Sequence, residues 1–106
     1  MKKLSLVLIG LCASVTVTGC VSTKQTPAAE KILVLAVERV RNCTELAKIH
    51  VTTSTNVAGV VRREDWVAEE LTNIAKNKAA QKGGDTVSAL SPAENGEQTF
   101  GIYRCL

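Results

Sequence analysis

The sequence predicts a small α+β domain: a four-stranded, mainly antiparallel sheet with one helix packed on one face, in the order β-β-α-β-β. Three observations point there. Residues 46–53, "LAKIHVTT", alternate apolar and polar side chains, the period-two signature of a half-buried strand. Residues 65–82 place apolar side chains at helical spacing and run into Gly83. Asn95-Gly96 lies between two strand-like runs, a strong hairpin signal.

Taken in order, "KILVLAV" (31–37) is apolar throughout and reads as a buried strand, although a helix from Ala28 to Val40 satisfies the same run. "ERVRNC" brings charge and Asn42, hence a turn or irregular segment. In the second strand Ala47, Ile49 and Val51 face one way and Lys48, His50 and Thr52 the other. "STNVAGVVRRE" (54–64) carries the loop signals Asn56 and Gly59 and reads as a mobile stretch. Asp65 opens the helix as a cap for free first-turn amides, with Glu69 and Glu70 toward the positive end of its dipole. Val67, Leu71, Ile74, Ala75 and Ala79 form its apolar stripe, Lys76, Lys78 and Lys82 favour the far end, and Gly83 supplies a left-handed stop. A short strand "TVSAL" follows, then a turn through Pro92 and Asn95-Gly96. The last strand, "TFGIYRC", has Phe100 and Ile102 on one face and Tyr103 and Cys105 on the other.

Ahead of this domain, Met1, Lys2 and Lys3 precede the apolar run "LSLVLIGLCASV" and then Val17-Thr18-Gly19-Cys20. A short positive region, an apolar region and a small-residue site make a signal peptide. A spanning helix needs about 20 apolar residues, and this run breaks into Thr and Gly sooner. No Ala-x-Ala site is present. Val17, Thr18 and Gly19 instead match the lipobox that precedes a lipid-modified Cys20, because a thioether to diacylglycerol needs an accessible sulfur beside a compact residue. Cys12 follows Leu11 after too short an apolar run to compete. The expected organisation is a lipoprotein signal peptide at 1–19, a lipidated N-terminus and tether at 20–30, and the folded domain at 31–106. Stable anchoring needs two acyl chains or more, which a triacylated Cys20 exceeds. By the sorting pattern of the lipoproteins it resembles, Val21 in place of Asp points to the outer membrane with the domain facing the periplasm, the inner membrane being the second reading.

Of the thirteen Lys and Arg residues two leave with the leader, so eleven basic residues face ten acidic ones and the mature chain is close to +1. With one Trp, one Tyr and one Phe and no basic cluster interleaved with aromatics, nucleic-acid binding has no support. Cys43 and Cys105 remain for the mature domain. Export leads to an oxidising compartment where disulfides persist, and a bridge closing about 63 residues is worth roughly 4 kcal/mol on chain-entropy grounds. A redox-active pair and two free thiols are the alternatives.

Other candidates for chemistry have simpler accounts. His50, the single histidine, falls on the wet strand face with no nucleophile or carboxylate at a defined spacing. Cys43, Cys105 and His50 lack the paired spacing of zinc ligands. No metal or cofactor is expected. Glu64, Asp65, Glu69 and Glu70 suit a helix start, with Arg62 and Arg63 as counter-charges. Trp66 would close one end of a thin core or mark a partner surface. Gly83-Gly84 ends a helix, whereas a phosphate loop begins one. The expectation is a membrane-anchored envelope component, non-enzymatic, serving as a binding, structural or stress-related interaction module, and the sequence identifies no envelope protein partner for it. A small redox or hydrolytic enzyme using Cys43 and Cys105 is the alternative.

The segments "NCTELAKIHV", "LTNIAKNKAAQKGGDTV" and "FGIYRC" resemble a family of small bacterial lipoproteins, domain of unknown function 4156. The resemblance spans roughly 37–105. It implies pairing of Cys43 with Cys105 in a terminal Tyr-x-Cys segment, and a helix ending in Ala79-Ala80 before Gly83-Gly84-Asp85 and Val87. At Ala47 the chain departs from the family, where Gly after Leu is common. More distantly it is similar to the stress-sensor lipoproteins of the Rcs phosphorelay, which carry two bridges and a longer tether. That likeness concerns fold, and fold does not fix function.

Overall fold

A computed structural model describes residues 26–106. In chain order the elements are β1 (Leu33–Val34), β2 (Thr44–Thr52), β3 (Asn56–Val57), β4 (Val60–Val61), α1 (Glu64–Gln81), β5 (Thr86–Ala89) and β6 (Glu97–Arg104), with 3-10 turns at Ala29–Lys31 and Val37–Arg39. The main sheet has the order β1-β5-β6-β2. β5 and β2 both pair antiparallel with β6, while β1 lies parallel to β5. The expected α+β class and the order β-β-α-β-β hold for this sheet.

The apolar stripe of α1 decides the packing. Val67, Leu71, Ala75 and Ala79 are buried against Ile32, Val51, Val87, Phe100 and Ile102, with Ile74 at the margin. A helix is about 10–12 Å wide and strands are spaced about 4.8 Å apart, so one helix covers little more than two strands. It lies over β2, β5 and β6. The edge strand β1 falls outside that strip, which corrects the expectation of a seven-residue buried strand. Only Ile32 enters the core, while Leu33 and Val34 are 46% and 48% exposed. The segment 26–30, assigned to the tether, is docked on the helix: the Thr26 amide donates to Asn77 Oδ1 at 3.0 Å and Ala29 is fully buried.

Two local details at the start of α1 differ from expectation. The helix begins at Glu64, so Asp65 sits inside the first turn and accepts from the Trp66 amide at 3.0 Å, while Arg63 holds the cap position. The stretch 54–64 is not a loop but contains the β3–β4 hairpin. Ala58 and Gly59 both have positive φ, 53° and 81°, the backbone a tight two-residue turn requires.

At its other end the helix stops by a Schellman arrangement: the Gly83 amide donates to Ala80 O at 3.3 Å and the Gly84 amide to Ala79 O at 2.9 Å, with Gly83 at φ +80°. Gly84 then passes so close to β6 that a Cβ there would lie 2.6 Å from Ile102 Cγ2. Asp85 completes the turn. Its amide donates to Tyr103 O at 2.9 Å, and its carboxylate accepts from the Cys105 amide (2.8 Å), the Leu106 amide (3.0 Å) and the Thr86 hydroxyl (2.8 Å). Desolvation alone would raise the Asp85 pKa. The Cys105 and Leu106 amides, the Thr86 hydroxyl and the Arg104 charge outweigh it and hold the carboxyl below its ordinary 3.8.

β6 is buried on both faces through its middle. Phe100 and Ile102 face the helix, as expected. On the opposite face the Tyr103 ring lies back over Gly101, where a Cβ would sit 2.7 Å from ring atom Cε1. Burial, with Glu45 opposite in β2, pushes the Tyr103 phenol above its ordinary value. β2 carries a bulge between Glu45 and Ala47, so Leu46 and Ala47 both pack against the core before strict alternation resumes. Cys43 and Cys105 form the disulfide, Cα to Cα 4.6 Å, tying the segment before β2 to the end of β6.

Two outcomes follow. Replacing both Cys43 and Cys105 with Ala lowers unfolding free energy by roughly 4 kcal/mol, read from urea denaturation of oxidised wild type and variant. Because the folded pKa of Asp85 is depressed, its stabilisation is complete above the unfolded value and is lost as pH falls through the folded one. Asp85→Asn therefore lowers the urea midpoint at neutral pH, and the gap from wild type narrows as the pH is taken below 3.8.

Candidate functional site

The end of the domain that holds the start of α1 carries an open cleft of about 740 Å³. Val61 and Arg62 from the hairpin, Glu64 and Val67 from the helix, and the turn Pro92–Gly96 line it. A half-buried polar network fixes its walls. Glu70 accepts from Arg62 Nη1 at 2.6 Å and from the Thr53 hydroxyl at 2.8 Å, and Arg62 Nη1 also donates to Ser54 O at 3.1 Å. The Arg62 and Glu70 side chains are only 23% and 15% exposed, so their attraction is less screened than that of a surface pair. Backbone bonds continue the strap: the Arg62 amide donates to Thr55 O at 2.7 Å, and the Thr53 amide to Gly96 O at 2.8 Å. Asn95 and Gly96, both at positive φ, form the expected tight turn and present its backbone to the cleft.

Sequence reasoning named Arg62 and Glu70 only as a counter-charge and a dipole partner. Their direct bond escaped it because the two are separated by a strand end and a helix start, with no fixed repeat relating them. Trp66 is 56% exposed and does not close the core. Its ring stacks under the Arg63 guanidinium, 4.9 Å from the centroid, and Arg63 also bonds Asp65 at 2.8 Å. With Val57, Val60 and Val61 also exposed, this end shows more apolar surface than the helical stripe implied.

His50 lies on the wet face of β2, as read from alternation. Its Nε2 is 2.9 Å from Glu97 Oε1 and its Nδ1 is 3.2 Å from Thr99 Oγ1, partners that the β2–β6 register supplies and spacing could not. His50 and Glu97 are both more than half exposed, where such a pair contributes little to stability. Cys43 and Cys105 are joined at the start of β2, whereas His50 is six residues along that strand, about 20 Å away at strand rise. The three are not brought together. Among the described residues no group of three or more His, Cys, Asp or Glu is gathered around a common point, and no described helix is long and apolar enough to cross a membrane. Val17, Thr18, Gly19 and Cys20, with Cys12, lie outside the described residues.

Removal of the Glu70 acceptor leaves Arg62 and Thr53 short of a partner in a half-buried place. Glu70→Ala costs about 1.5–3 kcal/mol of stability, and a double-mutant cycle with Arg62→Ala in urea denaturation gives a favourable coupling term.

The chain matches no curated protein and no solved structure. The family model described as domain of unknown function (DUF4156) matches residues 23–105, a span that holds the disulfide, the cleft and the Gly83-Gly84-Asp85 turn. The chain belongs to the DUF4156 family.

Proposed function

We propose that this protein is a lipid-anchored component of the bacterial envelope, attached through Cys20 to the outer membrane, whose periplasmic domain is a non-enzymatic binding module. The observation that carries the reading is the run Val17-Thr18-Gly19-Cys20 behind a short positive and apolar leader. The Cys43–Cys105 bridge supports it, since structural disulfides belong to exported chains.

The binding part of the reading rests on the cleft. Its volume lies within the ordinary range for ligand sites, and exposed Trp66 and the hairpin valines stand at the same end. Arg62 and Glu70 bond each other, so they shape the cleft and are not free to act on a substrate. Such a surface suits contact with another envelope protein.

Cys20→Ser tests the anchor. The variant is expected to move from the membrane fraction to the soluble periplasmic fraction and to lose labelling by a palmitate analogue. Membrane association that persists in the variant contradicts the proposal.

A further inference from the structure

The two ends of the domain differ in charge. Strand register and hydrogen bonds place the end of α1, the start of β5 and the end of β6 together: Leu33 pairs with Thr86, Thr44 with Arg104, and Arg104 Nη2 donates to Gly83 O at 3.2 Å. This end carries Lys31, Arg41, Lys76, Lys78, Lys82 and Arg104 against Glu30, Glu45 and Asp85, an excess of three positive charges. Lys76, Lys78 and Lys82 make no ion pair with any described residue. The opposite end, around the cleft, carries Glu64, Asp65, Glu69, Glu70, Glu94 and Glu97 against Arg62 and Arg63, an excess of four negative charges.

The chain enters the domain at the basic end. Thr26 is bonded to Asn77, in the same helical turn as Lys76 and Lys78. From Cys20 to Thr26 six residues reach at most about 20 Å, and Asn77, where Thr26 is held, lies about 6 Å from the last residue of the helix and about 20 Å from its first. A lipid on Cys20 therefore has the basic end as its nearer neighbour, and charge decides which end the surface holds.

We infer that the basic end, built from Lys76, Lys78, Lys82, Arg104, Arg41 and Lys31, lies against anionic phospholipid headgroups and orients the cleft away from the membrane. The inference rests on the Cys20 anchor proposed above and adds the surface that faces the lipid. Near an anionic surface each Lys or Arg is attracted within a Debye length. The reverse orientation would press the acidic end onto like charge. Exposed Leu33 and Val34, on the edge strand that begins at this end just after Lys31, add apolar surface there.

The test uses full-length protein purified from membranes and reconstituted into vesicles of phosphatidylcholine alone or of phosphatidylcholine with about one-third phosphatidylglycerol. Lysines are labelled with a water-soluble acetylating reagent and read by mass spectrometry, with Lys48, midway along β2, as internal reference. On anionic vesicles labelling of Lys78 and Lys82 is expected to fall roughly fivefold relative to neutral vesicles and to recover in about 1 M salt. Trp66, the sole tryptophan, stays open to an aqueous quencher throughout. Lys76→Glu/Lys78→Glu/Lys82→Glu removes the difference between the two vesicles at Lys31. Equal labelling on both vesicles of a chain lipidated at Cys20 overturns the inference alone, as does shielding of Trp66 in place of the lysines. Protection in detergent without vesicles, the mark of head-to-tail packing between copies, overturns it too. An unmodified Cys20 in the same mass spectrum overturns the anchor and this inference together.

Discussion

The turn from α1 into β5 is the constraint on which the rest of the domain depends. Gly84 lets the helix end approach β6 to a distance no side chain would allow, and the Asp85 carboxylate holds the Cys105 and Leu106 amides. Helix, β5 and the last residues of β6 are thereby joined in three consecutive positions. The disulfide then extends the same junction to the segment before β2. The small core, with alanines at two of its helical positions, is supported by these fixed points at one end.

Much of this architecture was legible because it obeys a period. The stripe Val67, Leu71, Ala75 and Ala79 and the inward set Ala47, Ile49 and Val51 were readable as faces, and both reached the core. The helix stop at Gly83 and the turn at Asn95-Gly96 were readable from the backbone freedom those residues bring. What escaped was whatever depends on neighbours distant in sequence. An apolar run such as 31–37 looks buried until the width of the single helix leaves its strand at an uncovered edge. The β3–β4 hairpin has strands of two residues, too short to show a period, and its Ala58 turn position carries no glycine signal.

The candidate site was legible only in its parts. Arg62, Glu70 and Trp66 were each visible as charged or aromatic residues near a helix start, yet their roles follow from the hairpin folding beside that start. The cleft is a product of three segments meeting: hairpin, helix and the turn before β6. The GGD turn shows the opposite relation, in which three adjacent residues carry their whole structural meaning locally and then reach β6 as a unit.

The strand order has a consequence for how such a chain is made. Every pairing in the main sheet uses β5 or β6: β1 with β5, β5 with β6, and β6 with β2. In a chain made from its N-terminus, β1 and β2 thus have no main-sheet partner until the final twenty or so residues arrive, a topology dominated by distant contacts and correspondingly slow to close. The main sheet is complete only when the last strand is delivered.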